Sequence, residues 1–219
     1  MHLDPKKDYG FTVEGISDTQ ALPAWDAFRL KKIREIFLTS QRIIDFGNAS
    51  RGLAELFADD LKGKEKIGVD IDQDTKPDVV ADICDLKIFG DASIDGIICV
   101  SILEHVYDPF QACREMRRIL KPGGKLFLYV PWMWRYHAPD DGAYKDYFRF
   151  SRDGVRELLK GFSDVEIVPV RGRIEAVMNL APRIGKRSLF YRLFGGLVRR
   201  LDRYDDKNPS GFNVYAAKG

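Results

Sequence analysis

An α/β fold with a doubly wound, mostly parallel sheet follows from three features of the sequence. Short apolar runs alternate with stretches of helical periodicity along most of the chain. The run Ile94–Val100 is apolar almost throughout, as expected of a strand covered on both faces. The first apolar run, residues 43–46, ends at Gly47, the punctuation expected between a buried strand and a following helix.

Taken in order, residues 1–22 show little periodicity and are expected to be a tail or cover. Trp25, Phe28, Leu30, Ile33, Ile36 and Phe37 recur at helical spacing and predict a helix over 24–38. Residues 43–46 are the first strand, and 52–61 return to helical spacing. Residues 67–71 and 79–81 read as the second and third strands, and 94–100 as the fourth. The amphipathic stretch 109–120 is expected to turn Phe110, Cys113, Met116, Ile119 and Leu120 inward. Lys121-Pro122-Gly123-Gly124 is a strong stop signal after it. Residues 126–130 are the fifth strand. Ser151 is placed to cap a helix, and 165–170 and 212–217 complete the strands.

The 219 residues suit one domain, 1–219, with a full core. With 45% hydrophobic and 31% charged residues, the chain reads as globular. A net charge of +2 gives no reason to expect nucleic acid. The three cysteines form no CxxC pair, so neither a disulfide framework nor a metal site is expected. The N-terminus lacks the apolar stretch of a signal peptide, and no run is long enough to span a membrane. A cytoplasmic protein is expected.

In such sheets a ligand lies beyond the carboxyl ends of the strands, near the switch in strand order. The first strand ends in Asp45-Phe46-Gly47-Asn48-Ala49-Ser50-Arg51-Gly52, where small residues let backbone N–H groups approach a ligand. Asp70 ends the second strand, about twenty positions beyond Gly47, where an acid can accept from both hydroxyls of a ribose. Asp82 follows the third strand and suits an exocyclic amine. By itself Gly47-x-Ala49-x-x-Gly52 also fits a tight structural turn, or a dinucleotide fingerprint with one glycine replaced, hence an NAD-dependent oxidoreductase.

Residues 95–106, DGIICVSILEHV, and 114–125, REMRRILKPGGK, resemble class I S-adenosylmethionine-dependent methyltransferases of the type 11 family. The resemblance covers residues 41–131 well and 132–170 more loosely. It implies a Rossmann-like seven-stranded sheet with an antiparallel last strand, and S-adenosyl-L-methionine as methyl donor. Position by position, Asp45 and Gly47, with Asn48 and Ala49, would hold the methionine end. Asp70, with Ile71, would bind the ribose. Asp82 and Ile83 would frame the adenine, and Val100 and Ser101 would line the site near the sulfonium. The family pattern has three glycines in this turn; Ala49 and Arg51 replace two of them. A degenerate, non-catalytic scaffold or regulatory protein is the alternative that this departure keeps open.

Residues 132–150 form the expected acceptor-side loop. They resemble type 11 members of glycan biosynthesis, in which a histidine precedes an Asp-Tyr-Phe-Arg run. The resemblance implies O-methylation of a sugar or glycan-related small molecule. Trp132, Tyr136, Tyr147 and Arg149 are the candidate acceptor-binding residues. A hydroxyl acceptor must lose a proton. His137 is the first candidate base, His105 the second, and Asp146 a group to orient the base. A lid packed on the sheet accounts for the same aromatic residues equally well.

Residues 182–204 read as a basic amphipathic helical insert, interrupted at Gly195-Gly196. Peripheral membrane contact through 183–203, a homodimer face, and a helix packed on the domain with its arginines exposed are the three readings.

Overall fold

The computed structural model describes residues 24–48, 50–139, 142, 144–180, 189–202 and 206–219. The expected tail, Ala49, and Arg183, Lys186, Arg187 and Arg203 of the basic stretch lie outside the described residues.

Seven strands form one sheet: β1 (Arg42–Phe46), β2 (Glu65–Asp70), β3 (Val79–Val80), β4 (Ile94–Val100), β5 (Leu120–Pro131), β6 (Phe162–Val170) and β7 (Gly211–Lys218), in the order β3-β2-β1-β4-β5-β7-β6. β1 to β5 run parallel, and β7 is antiparallel to both of its neighbours. The helices are α1 (Ala24–Thr39), α2 (Arg51–Leu56), α3 (Pro109–Ile119), α4 (Arg152–Leu158), α5 (Arg173–Leu180) and α6 (Leu189–Leu201).

Adjacent residues of the central strands point to opposite faces, so both faces are apolar. Ile44 and Ile97 join the cluster that includes Met116 and Ile119 of α3. Ile43 and Ile98 join the cluster that includes Leu30, Ile33, Ile36 and Phe37 of α1. α1 comes close enough to β4 that a Cβ on Gly96 would lie 2.5 Å from Ile36 Cγ2 and 2.7 Å from Ser40 Oγ. A side chain at position 96 would push the helix off the sheet.

α3 starts at an Asp108 cap, whose carboxylate accepts from Gln111 N at 2.8 Å, with Pro109 in the first turn. Phe110, expected to face inward, is exposed in the first turn instead, and the helix end differs from the expected boundary. The helix stops at Ile119, and β5 starts at once with Leu120. The pairing of β4 with β5 then jumps from Ile94–Leu120 to Gly96–Lys125, because Lys121 to Gly124 bulge out. Gly123 makes this bulge at φ +73°, a conformation natural only to glycine. Lys218 Nζ donates to Arg118 O and Leu120 O at 3.3 and 2.6 Å, satisfying carbonyls left over at the helix end.

Four further boundaries differ. The predicted helix 52–61 is a short α-helix that tightens into a 3₁₀ turn, Ala58–Leu61. β6 begins at Phe162 rather than at 165, across an irregular register near Asp164 at φ +51°. α5 has no counterpart in the sequence reading. α6 runs through Gly195-Gly196 without the expected interruption. Each glycine costs about 1 kcal/mol in a helix, which flanking leucine and arginine residues offset. Leu193, Phe194, Leu197 and Leu201 of α6 are exposed. Among the described residues no helix is long and apolar enough to cross a membrane.

Gly96→Val is expected to lower stability by about 1–3 kcal/mol through overpacking. Gly90→Ala, where a Cβ meets nothing within 4 Å, should stay within about 0.5 kcal/mol of the parent. Urea unfolding of both variants checks the pair.

Candidate active site

The strand order reverses across β1 and β4, and a cavity of about 390 Å³ opens beyond their carboxyl ends. Its floor is the turn after β1. Asp45 is fully buried there, and its carboxylate accepts from Ser50 N at 3.3 Å and Ser50 Oγ at 2.6 Å. Lys66 Nζ pairs with the same carboxylate at 2.9 Å and donates to Asn48 Oδ1 at 3.1 Å. Gly47 and Asn48 both take left-handed conformations, φ +68° and +50°. The positive φ favours glycine at position 47, and a Cβ there would also have to displace the Ile102 Cδ1 methyl, 2.5 Å away.

One side of the cavity is acidic. Asp70 Oδ1 accepts from Asp72 N at 3.0 Å and Oδ2 from Thr75 Oγ1 at 3.1 Å, which fixes the carboxylate at the end of β2. Asp82 Oδ1 accepts from Cys84 N at 2.8 Å, and Oδ2 from the Tyr107 hydroxyl at 3.2 Å. Between them lie Ile71, Ile83 and Val106. Two carboxylates beside an apolar slot, over a glycine turn, are the chemistry that a nucleoside with a ribose diol and an amine requires.

The two histidines of the cavity come from two separate loops. The loop after β4 carries Ser101 at φ +56°, then Glu104 and His105 in a short 3₁₀ turn. The segment after β5 folds back over it. Tyr147 N and Phe148 N both donate to Glu104 O, at 2.7 and 3.2 Å, and Phe150 N donates to Pro131 O at 2.9 Å. His105 Nε2 and His137 Nε2 then lie 3.0 Å apart. The Asp146 side chain is fully buried and lies 3.1 Å from His137 Nδ1, and it also accepts from His137 N at 2.9 Å. Arg149 grips both Asp146 oxygens, the Nη2–Oδ2 contact being 2.7 Å, and donates to Trp134 O and Arg135 O. This guanidinium holds the Asp146 carboxyl well down, at about 2.

Glu104 is the group that the sequence reading missed. Its side chain is 1% exposed, and among the described residues neither carboxylate oxygen has a hydrogen-bond partner. Burial pushes its pKa up to about 8. The signal available was an acid set between apolar Leu103 and a histidine. Burial lowers the pKa of His105.

The other predicted residues divide as follows. Gly47, Asp70, Ile71, Asp82, Ile83, Ser101, His105 and His137 line the cavity, together with Phe46, Ile102, Tyr107 and Tyr144. Asp45 and Asn48 face the turn and Lys66 instead. Val100 packs on the α1 side of the sheet. Trp132 packs on the α3-side core and donates from Nε1 to Lys207 O at 3.0 Å. Tyr136 and Tyr147 are exposed, 60% and 52%, and do not line the cavity. Arg149 is spent on Asp146 and on backbone carbonyls, so it is a clamp within the loop.

Residues 44–128 match a family model described as a methyltransferase domain. Among curated proteins, a ubiquinone biosynthesis O-methyltransferase of Xanthomonas oryzae pv. oryzae is 47% identical over 49 residues, 22% of this chain and 20% of that protein. The O-methyltransferase cnsE of Penicillium expansum is 27% identical over 146 residues, 63% of this chain and 52% of that protein. The chain thus spans between a fifth and about half of the length of these relatives. A solved S-adenosylmethionine-dependent methyltransferase of Archaeoglobus fulgidus has the same fold, with a TM-score of 0.59 at 20% identity over 97% of both chains. The fold is the Rossmann-like methyltransferase fold, and the donor of that class is S-adenosylmethionine. The glycine turn, Asp70, Asp82 and the apolar slot fit that donor.

Arg149→Met should free residues 132–149 from the cavity. The Tyr147 and Phe148 amides are expected to exchange hydrogen faster, with a stability loss of up to about 3 kcal/mol, because Asp146 is left buried and unpaired. Hydrogen-exchange mass spectrometry reads both.

Proposed function

We propose that this chain is an S-adenosylmethionine-dependent O-methyltransferase acting on a hydroxyl of a small molecule. The observation that carries this reading is that Gly47, Asp70 and Asp82 line the same cavity as His105 and His137. The donor supplies a methyl group already activated on a sulfonium. Asp70 and Asp82 hold the nucleoside end, with Gly47 allowing close backbone approach. The imidazoles of His137 and His105 present basic nitrogens to the acceptor space, and Asp146 with Arg149 holds His137 in orientation. The acceptor needs little more than positioning and loss of its proton. A sugar hydroxyl remains one acceptor class and a phenol the other. The cavity's own aromatic walls, Phe46, Tyr107 and Tyr144, suit either.

The strand order weighs against the nicotinamide reading. Dinucleotide-binding sheets run 3-2-1-4-5-6, whereas here an antiparallel β7 stands between β5 and β6. Calorimetry with S-adenosylmethionine, S-adenosylhomocysteine and NAD tests the assignment. Micromolar binding of the first two is expected. In Asp70→Ala it should weaken about tenfold to a hundredfold, as for lost hydrogen bonds to a charged group. Binding of NAD alone would sink the proposal.

The exposed apolar residues of α6 favour a second element of this reading, contact with a membrane surface. Leu193 is 68% exposed and Leu201 60%, and the sequence sets Arg192, Arg199 and Arg200 in the same helix. Co-sedimentation with vesicles rich in phosphatidylglycerol is expected, and Leu193→Glu with Leu197→Glu should abolish it. Equal sedimentation of the double variant would refute the contact.

A further inference from the structure

Two imidazoles and the Glu104 carboxyl group converge at the cavity wall, and no hydrogen bond joins the carboxyl group to either ring. His105 Nδ1 lies 2.7 Å from Lys145 O. His137 Nδ1 lies 3.2 Å from Arg135 O and 3.1 Å from the Asp146 carboxylate. Carbonyls and carboxylates only accept, so in each neutral ring Nδ1 carries the hydrogen. Each Nε2 is then a bare lone pair, and the two face one another at 3.0 Å. The third member is Glu104 Oε1, 3.7 Å from His137 Nε2 and 4.0 Å from His105 Nε2. Both Glu104 oxygens are buried and lack a hydrogen-bond partner among the described residues. The two facing lone pairs repel, the buried carboxyl group has no partner among the described residues, and a cation that displaces its proton answers all three groups at once.

We propose that Glu104, His105 and His137 bind a divalent first-row transition-metal ion. Their ligand atoms lie within 4.8 Å of one another. A point equidistant from the three atoms falls about 2.1 Å from each, the length of a zinc–nitrogen or zinc–oxygen bond. Two imidazoles with one carboxylate select zinc, manganese, iron or cobalt over magnesium and calcium, which prefer all-oxygen sites. The surroundings are those of a built site. Each ligating imidazole has its other nitrogen against a carbonyl or carboxylate, the arrangement that fixes tautomer and ring angle in metal-binding histidines. Arg149 in turn fixes Asp146.

The sequence reading expected no metal because it looked to cysteines. The ligands are instead an adjacent Glu-His pair and a histidine 32 residues further on. Both histidines line the cavity and Glu104 is buried, so an ion held by the three would be reached from the cavity. An ion there lowers the pKa of an acceptor hydroxyl in place of proton uptake by a free imidazole. That consequence rests on the O-methyltransferase reading; the metal site itself does not.

The test uses the full chain, stripped with EDTA and titrated with Co²⁺ and then Zn²⁺. Co²⁺ should give visible d–d absorption that saturates at a single equivalent, is displaced by Zn²⁺, and is untouched by millimolar Mg²⁺. Glu104→Gln and His137→Gln should each weaken Co²⁺ binding by more than about tenfold, with cooperative unfolding retained. His137 is the more exposed of the two and covers the case in which Glu104→Gln fails to fold. S-adenosylhomocysteine binding is measured on the same samples. Protein that binds the nucleoside but shows no Co²⁺ spectrum, or variants that hold Co²⁺ as tightly as the parent, would overturn the site. Metal binding without nucleoside binding would leave the site standing and remove the methyl-transfer reading instead.

Discussion

One buried carboxylate organises the segment that carries His137 to the cavity. Asp146 accepts from both arms of Arg149 and from the His137 backbone, and it sits beside His137 Nδ1. A carboxylate taken out of water costs several kcal/mol unless it is paired and hydrogen-bonded. The chain from 134 to 149 therefore has few ways to fold other than around it. Arg149 extends the constraint by donating to the Trp134 and Arg135 carbonyls, which would otherwise be left over in an irregular segment. The imidazole that faces the cavity is where it is because this ring of partners closes.

The part of the cavity lined by Gly47, Asp70 and Asp82 is organised differently, by the sheet. Its groups sit at strand ends whose positions are set by the parallel registers of β1 with β2 and β4. Asp45 and Lys66 anchor the turn from below, which leaves the upper surface of Gly47 clear. Asp70 and Asp82 are held by neighbouring backbone N–H groups and by hydroxyls, and so are oriented before any ligand arrives. A rigid scaffold thus presents one half of the cavity, and a folded-back loop presents the other.

This division explains what could be read from the sequence. Strands announce themselves by apolar runs, and an acid at the end of such a run is placed by the strand itself. Hence Asp70 and Asp82 were legible, and so was the sheet. Gly195-Gly196 misled because an average helix cost was read as a break, although neighbouring residues outweighed it. The Pro122-Gly123-Gly124 stop ended α3 as expected but lay inside β5 as a bulge, which only the partner strand could reveal. In residues 132–150, aromatic residues carried no information about which way they point. Tyr136 and Tyr147 face solvent and Trp132 the core, whereas Tyr144, which was not singled out, lines the cavity. Glu104 could not be grouped with His137 until the later segment was seen to fold back over the 3₁₀ turn.

The position of β7 has a consequence for synthesis on the ribosome. β7 lies between β5 and β6 although it follows both in the chain. While residues 162–170 are emerging, the strand they pair with among the described residues, 211–218, has yet to be made. Two strand edges, those of β5 and β6, therefore stay open together during the time needed to translate some forty further residues, about two to eight seconds at ordinary elongation rates. Such edges invite pairing with other chains. β6 meets that hazard with Asp164 and Glu166, charges that discourage a foreign strand, and with Pro169, which has no N–H to offer one. The late, antiparallel closing strand is thus as much a feature of how this sheet is born as of how it is shaped.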